Sequence, residues 1–349
     1  MKTFKHMDVK TVNKACRLLE EHRGKARLIA GGTDLLGILK DQIVPDYPEA
    51  IINIKAIAGL DYIREDSKGL KIGALTTLSN ISGSSIVKEK YGVLAEAAYA
   101  VATPQIRNMA TLGGNLCQEV RCWYYRYPHA IGGRLLCLRK GSGQCLAVSG
   151  DNRYHAILGG QGCFAVCPSD TAVALTALHA VIKVTGTRKN RMVPVEDFFT
   201  TLGNILQIGE IVTEIQIPKP LDEAKQTFLK LTLRKPVDFA TVSVASVIVL
   251  ENGICRDASI TLGAVAPVPI KALKAEQVIK GKPLDERIAE EAAEAAVAGA
   301  RPLSMNAYKI EETKILVQRS ILAHPTTHGR MCHTKATQTP AKGKSSTIV

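Results

Sequence analysis

Six of the nine cysteines lie between residues 117 and 167, most of them in the stretch CQEVRCWYYRYPHAIGGRLLCLRKGSGQC. In a reducing compartment, thiols gathered in this way serve metal binding, chemistry or apolar packing, and seldom disulfides. Soft sulfur donors suit iron–sulfur clusters or zinc better than hard cations. Structural zinc sites favour tight Cys-x2-Cys to Cys-x4-Cys pairs, whereas Cys122, Cys137, Cys145 and Cys163 are separated by 15, 8 and 18 residues. Spacing alone leaves an iron–sulfur cluster, zinc and no metal all open. His129 and His155 are further donors by type, although a surface or core role is the commoner one for such a residue. Cys16, in an N-terminal helix pattern, and Cys255, in a strand pattern, read as packing residues.

Directly before the cysteines stands ATLGGNL, which offers Thr111, Gly113, Gly114 and the amide of Asn115. An earlier stretch, LIAGGTDLL, leaves a strand through two adjacent glycines followed by Thr33. Glycine lets a backbone approach an anion closely and present successive N–H groups as a nest. Neither loop matches the dinucleotide fingerprint G-x-G-x-x-G or a Walker loop. The GKSS of the tail has Gln338 where a Walker glycine belongs, and no strand precedes it. Two nests in successive subdomains are suited to the two phosphates of one pyrophosphate.

These loops need elements to hold them. From Asp8 to Arg23 apolar residues recur at helical spacing, with Asp8 expected as N-cap and Gly24 past the end. ARLIA, AIINI, LDYIRE and GLKIGALTTL read as strands, VLAEAAYAVA as a helix and PQIRNMATLGGNL as a loop. PSDTAVALTALHAVIKVTG combines a helix capped at Ser169 with a strand. Beyond the polar link KPLDEAKQ come three alternating strands with an ENG turn, then Ala-rich helices at about 276–300 and 307–322. The expected units are 1–60, 61–220 with an insertion at about 117–163, 221–325, and a disordered tail at 326–349.

The chain carries a net charge of +13, yet no aromatic-interleaved basic stripe points to nucleic acid. Part of the excess is Arg121, Arg126, Arg134, Arg139, Lys140 and Arg153 in the insertion, against Glu119 and Asp151, a basic face suited to an acidic partner. No apolar run reaches the length of a membrane span and no signal-peptide core is visible, so a cytoplasmic protein is expected.

AGGTDLL, ATPQIRNMATLGGNLCQ, PSDTA and ITLGAVAPVPIKA, in this order, resemble the FAD-binding medium subunit of the xanthine dehydrogenase or molybdenum hydroxylase family, over roughly residues 1–325. The resemblance implies an α+β fold: a two-subdomain FAD-binding unit of PCMH type, then a three-stranded sheet with helices of the carbon monoxide dehydrogenase flavoprotein type. By position, Ala30, Gly31, Gly32, Thr33, Asp34 and Leu35 are expected on one side of the FAD pyrophosphate and Thr111, Gly113, Gly114 and Asn115 on the other. Asp170 is expected at the ribityl or adenosine hydroxyls, and Ile211, Val212 and Lys230 near the flavin ring.

Within the family, the cysteine insertion is similar to that of the 4-hydroxybenzoyl-CoA reductase beta subunit, which binds a [4Fe-4S] cluster. That likeness implies Cys122, Cys137, Cys145 and Cys163 as ligands, with Cys167 the main rival. It further implies an electron-transfer subunit without catalytic acid or base. Its partners would be a molybdopterin-binding large subunit and a small [2Fe-2S] subunit, in a dimer of heterotrimers, with ferredoxin or NAD outside. The rival readings are a hydroxylase of an aldehyde, purine or other N-heterocycle in the same family, and a non-catalytic zinc-bearing scaffold.

Overall fold

A computed structural model describes residues 1–323 apart from positions 134, 142, 222, 235 and 236. The tail expected as disordered lies outside the described residues.

The first unit is β1 (Lys5–Asp8), α1 (Val12–Glu21), β2 (Ala26–Ile29), α2 (Leu35–Asp41) and β3 (Ala50–Asn53), its three strands parallel in the order β1-β3-β2. Asp8 does not cap the helix as expected: it ends β1 opposite Asn53, whose Nδ2 donates to Asp8 Oδ1 at 2.7 Å. Thr11 takes the cap, accepting from the Lys14 N–H at 3.3 Å. The periodic pattern ran on into β1 because Val9 is buried in the same small core as Ala15, Cys16 and Leu18.

The second unit begins with β4 (Ile63–Asp66) and β5 (Gly69–Gly73), followed by the short helices α3 (Leu78–Gly83), α4 (Ser85–Lys90), α5 (Gly92–Tyr99), α6 (Pro104–Met109) and α7 (Leu112–Leu116). Residues 104–116, expected as a loop, are therefore two helices. Pro104 is preorganised for a first helical turn, and buried Leu112 and Leu116 outweigh the glycines between them. The insertion, whose described residues form α8 (His129–Gly132) and a single turn at Leu138–Lys140, precedes α9 (Asp170–Ala177). Ser169 caps α9 as expected, accepting from the Ala172 N–H at 3.1 Å. Every residue of α9 is buried, so the helix has no solvent-facing side.

β6 (Val181–Thr185), β7 (Asn190–Pro194), α10 (Val195–Phe198), the small hairpin of β8 (Phe199–Thr200) and β9 (Gly203–Asn204), and β10 (Ile211–Pro218) complete this unit. β10 returns to the middle of an antiparallel sheet ordered β4-β5-β10-β6-β7.

The third unit is β11 (Lys225–Leu231), β12 (Val242–Glu251), β13 (Ile254–Gly263) and β14 (Ile270–Lys271), with α11 (Leu273–Ile279), α12 (Glu286–Val297) and α13 (Tyr308–Leu322). The turn Asn252–Gly253 has φ of 52° and 81°, as a tight hairpin requires. The sheet has four strands where three were expected, because two-residue β14 is too short to leave a pattern. The helix expected over 276–300 is two helices, interrupted where Gly281 takes φ +77° just before Pro283.

A long irregular insertion must satisfy its buried backbone groups with side chains. Three fully buried residues do so. Asn152 Nδ2 donates to the carbonyls of Ala147 and Gly150 and to Ser304 Oγ, and its Oδ1 accepts from the Met305 N–H at 2.8 Å. Asn306 Nδ2 donates to the carbonyls of His155 (3.1 Å) and Ala156 (3.2 Å). Lys309 Nζ donates to the carbonyls of His155 and Ala264 at 3.1 and 2.5 Å. Asn152→Ala orphans several of these groups and is expected to cost about 1–3 kcal/mol. Denaturant unfolding checks this, and an unchanged midpoint would show that the insertion is not clamped there.

Candidate functional site

A cleft of about 540 Å³ opens where the three units meet, within the range of small-molecule sites. All fourteen residues expected around FAD line it. They arrive from five places: the turn from β2 into α2, the start of α7, Asp170 at the start of α9, Ile211 and Val212 at the start of β10, and Lys230 in β11.

The turn Gly31–Leu35 is a nest: among the described residues its backbone N–H groups have no hydrogen-bond partner. Gly32 sits at φ +73°, and a Cβ on Gly31 would stand 1.9 Å from the Met109 carbonyl oxygen. Glycine is thus needed at position 31 for the two loops to touch.

The second loop differs from the nest expected of it. The Gly113 N–H donates to the Ala74 carbonyl at 2.9 Å, the Gly114 N–H to Thr111 Oγ1 at 3.2 Å and the Asn115 N–H to the Thr111 carbonyl at 2.8 Å. It is a brace for the first loop rather than a second row of donors. Asn115 Oδ1 accepts from Ser169 Oγ (2.6 Å) and Thr171 Oγ1 (2.7 Å), which leaves Nδ2 as the group with donors to spare.

Asp34 lies in the anion nest yet turns its carboxylate to the insertion. Oδ1 pairs with Arg126 at 2.5 Å and Arg121 at 3.0 Å, and Oδ2 accepts from the Glu119 N–H at 2.8 Å. Burial pulls the Arg121 guanidinium down to about 10, and it lies over the Phe239 ring at 4.6 Å. Arg121, Arg126 and Phe239 all line the cleft and were not expected there. The arginines were visible only as a charge run, and no spacing rule joins them to Asp34.

Asp170 and Lys230 form a buried ion pair at 2.7 Å, with Lys230 Nζ also donating to the Ala100 carbonyl at 2.9 Å. Burial pushes the Asp170 carboxyl up, against the pull of Lys230. Ile211 and Val212 follow Glu210, which Arg191 grips through both oxygens at 2.9 and 2.7 Å. This bidentate bond holds the Glu210 carboxyl below its usual value of 4.5.

Behind the turn Gly31–Leu35, α2 packs through Ile38 against the insertion, in a cluster with Val120, Tyr125, Cys137 and Cys163. Cys122, Cys137, Cys145 and Cys163 all line one small cavity there, of about 20 Å³ within about 310 Å³ free of protein atoms. Cys117 and Cys167 line a different cavity, so the rival ligand Cys167 is set apart from the four. Burial pushes the Cys122 thiol up to about 11, with Cys145 and Cys163 adding to the effect. Thiolates at this place therefore call for a cationic partner.

His155 Nε2 lies 3.3 Å from Cys122 Sγ, and burial pulls that histidine down to about 4. His129 is exposed on α8. Cys16 and Cys255 are fully buried among apolar side chains. Among the described residues no three His, Cys, Asp or Glu side chains are grouped to hold a single metal ion. None of the helices formed by the described residues is long and apolar enough to cross a membrane.

Residues 2–220 match the family model for the FAD-binding domain in molybdopterin dehydrogenase. The chain belongs to this family. Residues 227–323 match the carbon monoxide dehydrogenase flavoprotein C-terminal domain. The FAD-binding subunit PaoB of Escherichia coli aldehyde oxidoreductase is 33% identical over 89% of this chain and 94% of its own length. The carbon monoxide dehydrogenase medium chain of Afipia carboxidovorans is 27% identical over 91% and 96%. A solved carbon monoxide dehydrogenase from Hydrogenophaga pseudoflava superposes with a TM-score of 0.73 at 27% identity, covering 92% of this chain and 96% of that one. The two-part FAD-binding fold with its C-terminal α+β domain is thus the one expected, and the protein is an FAD subunit of an oxidoreductase.

Gly31→Val drives a side chain into the Met109 carbonyl and is expected to weaken FAD at least tenfold, about 1.4 kcal/mol, in a flavin-retention titration; unchanged retention would contradict the packing argument. Glu210, with its lowered pKa, contributes stability that is present above pH 4.5 and lost as pH falls below it. Glu210→Gln is expected to shrink the drop in flavin retention between pH 6 and 3, read by released-flavin fluorescence.

Proposed function

We propose that this chain is the electron-transfer subunit of a molybdopterin-dependent aldehyde oxidoreductase, holding FAD in the cleft and a [4Fe-4S] cluster on Cys122, Cys137, Cys145 and Cys163. The carrying observation is that these four thiols line one pocket, directly behind the helix that begins at the phosphate turn. A cubane takes one thiolate at each of four corners, so its ligands surround a larger centre than the ligands of one ion do. That agrees with four thiols that share a cavity without forming a single-ion group.

When bound, FAD supplies exchange between two-electron and one-electron partners. The chain's own residues hold and orient it. The nest at Gly31–Leu35 receives the pyrophosphate, Asn115 adds an amide donor, and Arg121 and Arg126 offset the charge of Asp34 beside it. Asp170 and Lys230 supply fixed polar groups for the hydroxyls and the ring edge, and Ile211 and Val212 an apolar wall. A molybdopterin-binding large subunit would carry the substrate site, where an aldehyde and water give a carboxylic acid, two protons and two electrons. A small [2Fe-2S] subunit and an acceptor of the ferredoxin or NAD class complete the assembly.

The aldehyde reading rests on the similarity to the E. coli aldehyde oxidoreductase subunit along nearly all of both chains. A second reading, reductive dehydroxylation of 4-hydroxybenzoyl-CoA, rests on the cysteine insertion. Turnover of aldehydes with an oxidised dye, and none of 4-hydroxybenzoyl-CoA with a reduced dye, is the expected result; the reverse would replace the first reading by the second. Cys137→Ser is expected to lower iron by about four atoms per chain while FAD stays bound. Unchanged iron would contradict the ligand assignment.

A further inference from the structure

The thiol pocket is apolar except at one wall. Besides the cysteines it is lined by Leu138, Leu146, Ala165, two tyrosines and Arg139. Tyr124 spends its hydroxyl on the Asp151 carbonyl at 3.1 Å, and the Tyr125 hydroxyl engages Glu119. Arg139 is the sole charged side chain lining the pocket among the described residues, and only 5% of that side chain is exposed. One terminal nitrogen, Nη2, donates to the Thr201 carbonyl at 2.7 Å; the other, Nη1, stands 3.8 Å from Glu119. Among the described residues its Nε is buried without a hydrogen-bond partner.

An orphaned buried N–H is costly to keep, and each one in a native fold needs a reason. A guanidinium carries a permanent positive charge. Four thiolates around a four-iron core of charge about +2 leave a complex of about −2, and one added electron takes it to about −3. Storing that further negative charge in an apolar pocket is unfavourable unless a cation and an N–H donor lie beside it.

We infer that Arg139 sets the reduction potential of the cluster, offsetting its charge and offering Nε–H to its sulfur. This rests on the four-thiolate reading, and it assigns Arg139 a part that neither ligation nor packing supplies. Arg139 stands two residues after Cys137, on the turn Leu138–Lys140 that follows that ligand, and lies between the thiol pocket and the neighbouring cavity of Cys117 and Cys167.

The test is an EPR-monitored redox titration of the anaerobically purified complex, in which dithionite delivers one electron to the cluster through mediators. Arg139→Gln is expected to lower the reduced-to-oxidised ratio at fixed potential about tenfold, a shift of 59 mV for a one-electron couple. Arg139→Lys keeps the charge but loses the Nε–H donor, and is expected to lower the ratio at least twofold and by less than the Gln variant. A change below twofold in Arg139→Gln overturns the inference. If that variant retains no iron, the Lys variant decides by the same twofold limit. Loss of iron from both, with FAD retained, also overturns it, since Arg139 would then serve assembly. A wild-type complex without a [4Fe-4S] signal refutes the cluster itself, a different failure from an unshifted potential.

Discussion

A single carboxylate joins the two halves of the site. Asp34 sits in the turn that presents free N–H groups to the cleft, and it is held from behind by Arg126, Arg121 and the Glu119 N–H of the insertion. A bare carboxylate in an anion nest would repel phosphate. Paired with two guanidiniums from the insertion, it becomes instead the tie that fixes the turn, with its charge offset. The position of the turn Gly31–Leu35 therefore depends on the insertion being folded, and the insertion depends on α2 for its apolar backing.

The same economy of contacts governs the rest of the cleft. Gly31 lets the Met109 carbonyl approach the first loop, and the second loop spends its N–H groups on Ala74 and Thr111 to stay in place. Asn115 then carries that order to Ser169 and Thr171, so the wall that contains Asp170 is braced by the loop opposite the nest. At the far side the insertion has little regular structure, and the buried amides of Asn152 and Asn306 with Lys309 substitute for the ladder hydrogen bonds it lacks.

Much of this was legible in the sequence where a local rule exists. The strand-to-glycine turn, the cap at Ser169, the Asn252–Gly253 hairpin and the helix at 308–322 follow from spacing and turn chemistry. What escaped depends on tertiary contact. Asp8 belongs to a strand only because Asn53 lies beside it, and residues 104–116 are helical because Leu112 and Leu116 find a core. The partnership of Asp34 with Arg126 spans 92 positions and leaves no trace in local pattern. Likewise Arg139 reads as one more basic residue until the fold buries it beside the thiols. The separation of Cys122, Cys137, Cys145 and Cys163 from Cys117 and Cys167 is also a fact of packing, since all six are neighbours in sequence.

The claim that one chain keeps a flavin cleft and a four-thiolate cluster site back to back is tested most directly by composition. Iron, acid-labile sulfide and flavin are measured in the anaerobically purified complex. Taking the proposed small [2Fe-2S] partner to hold two clusters, as the family resemblance implies, and this chain one [4Fe-4S] cluster, the account predicts about eight iron atoms per FAD. A complex with one FAD and only about four iron atoms would contradict it.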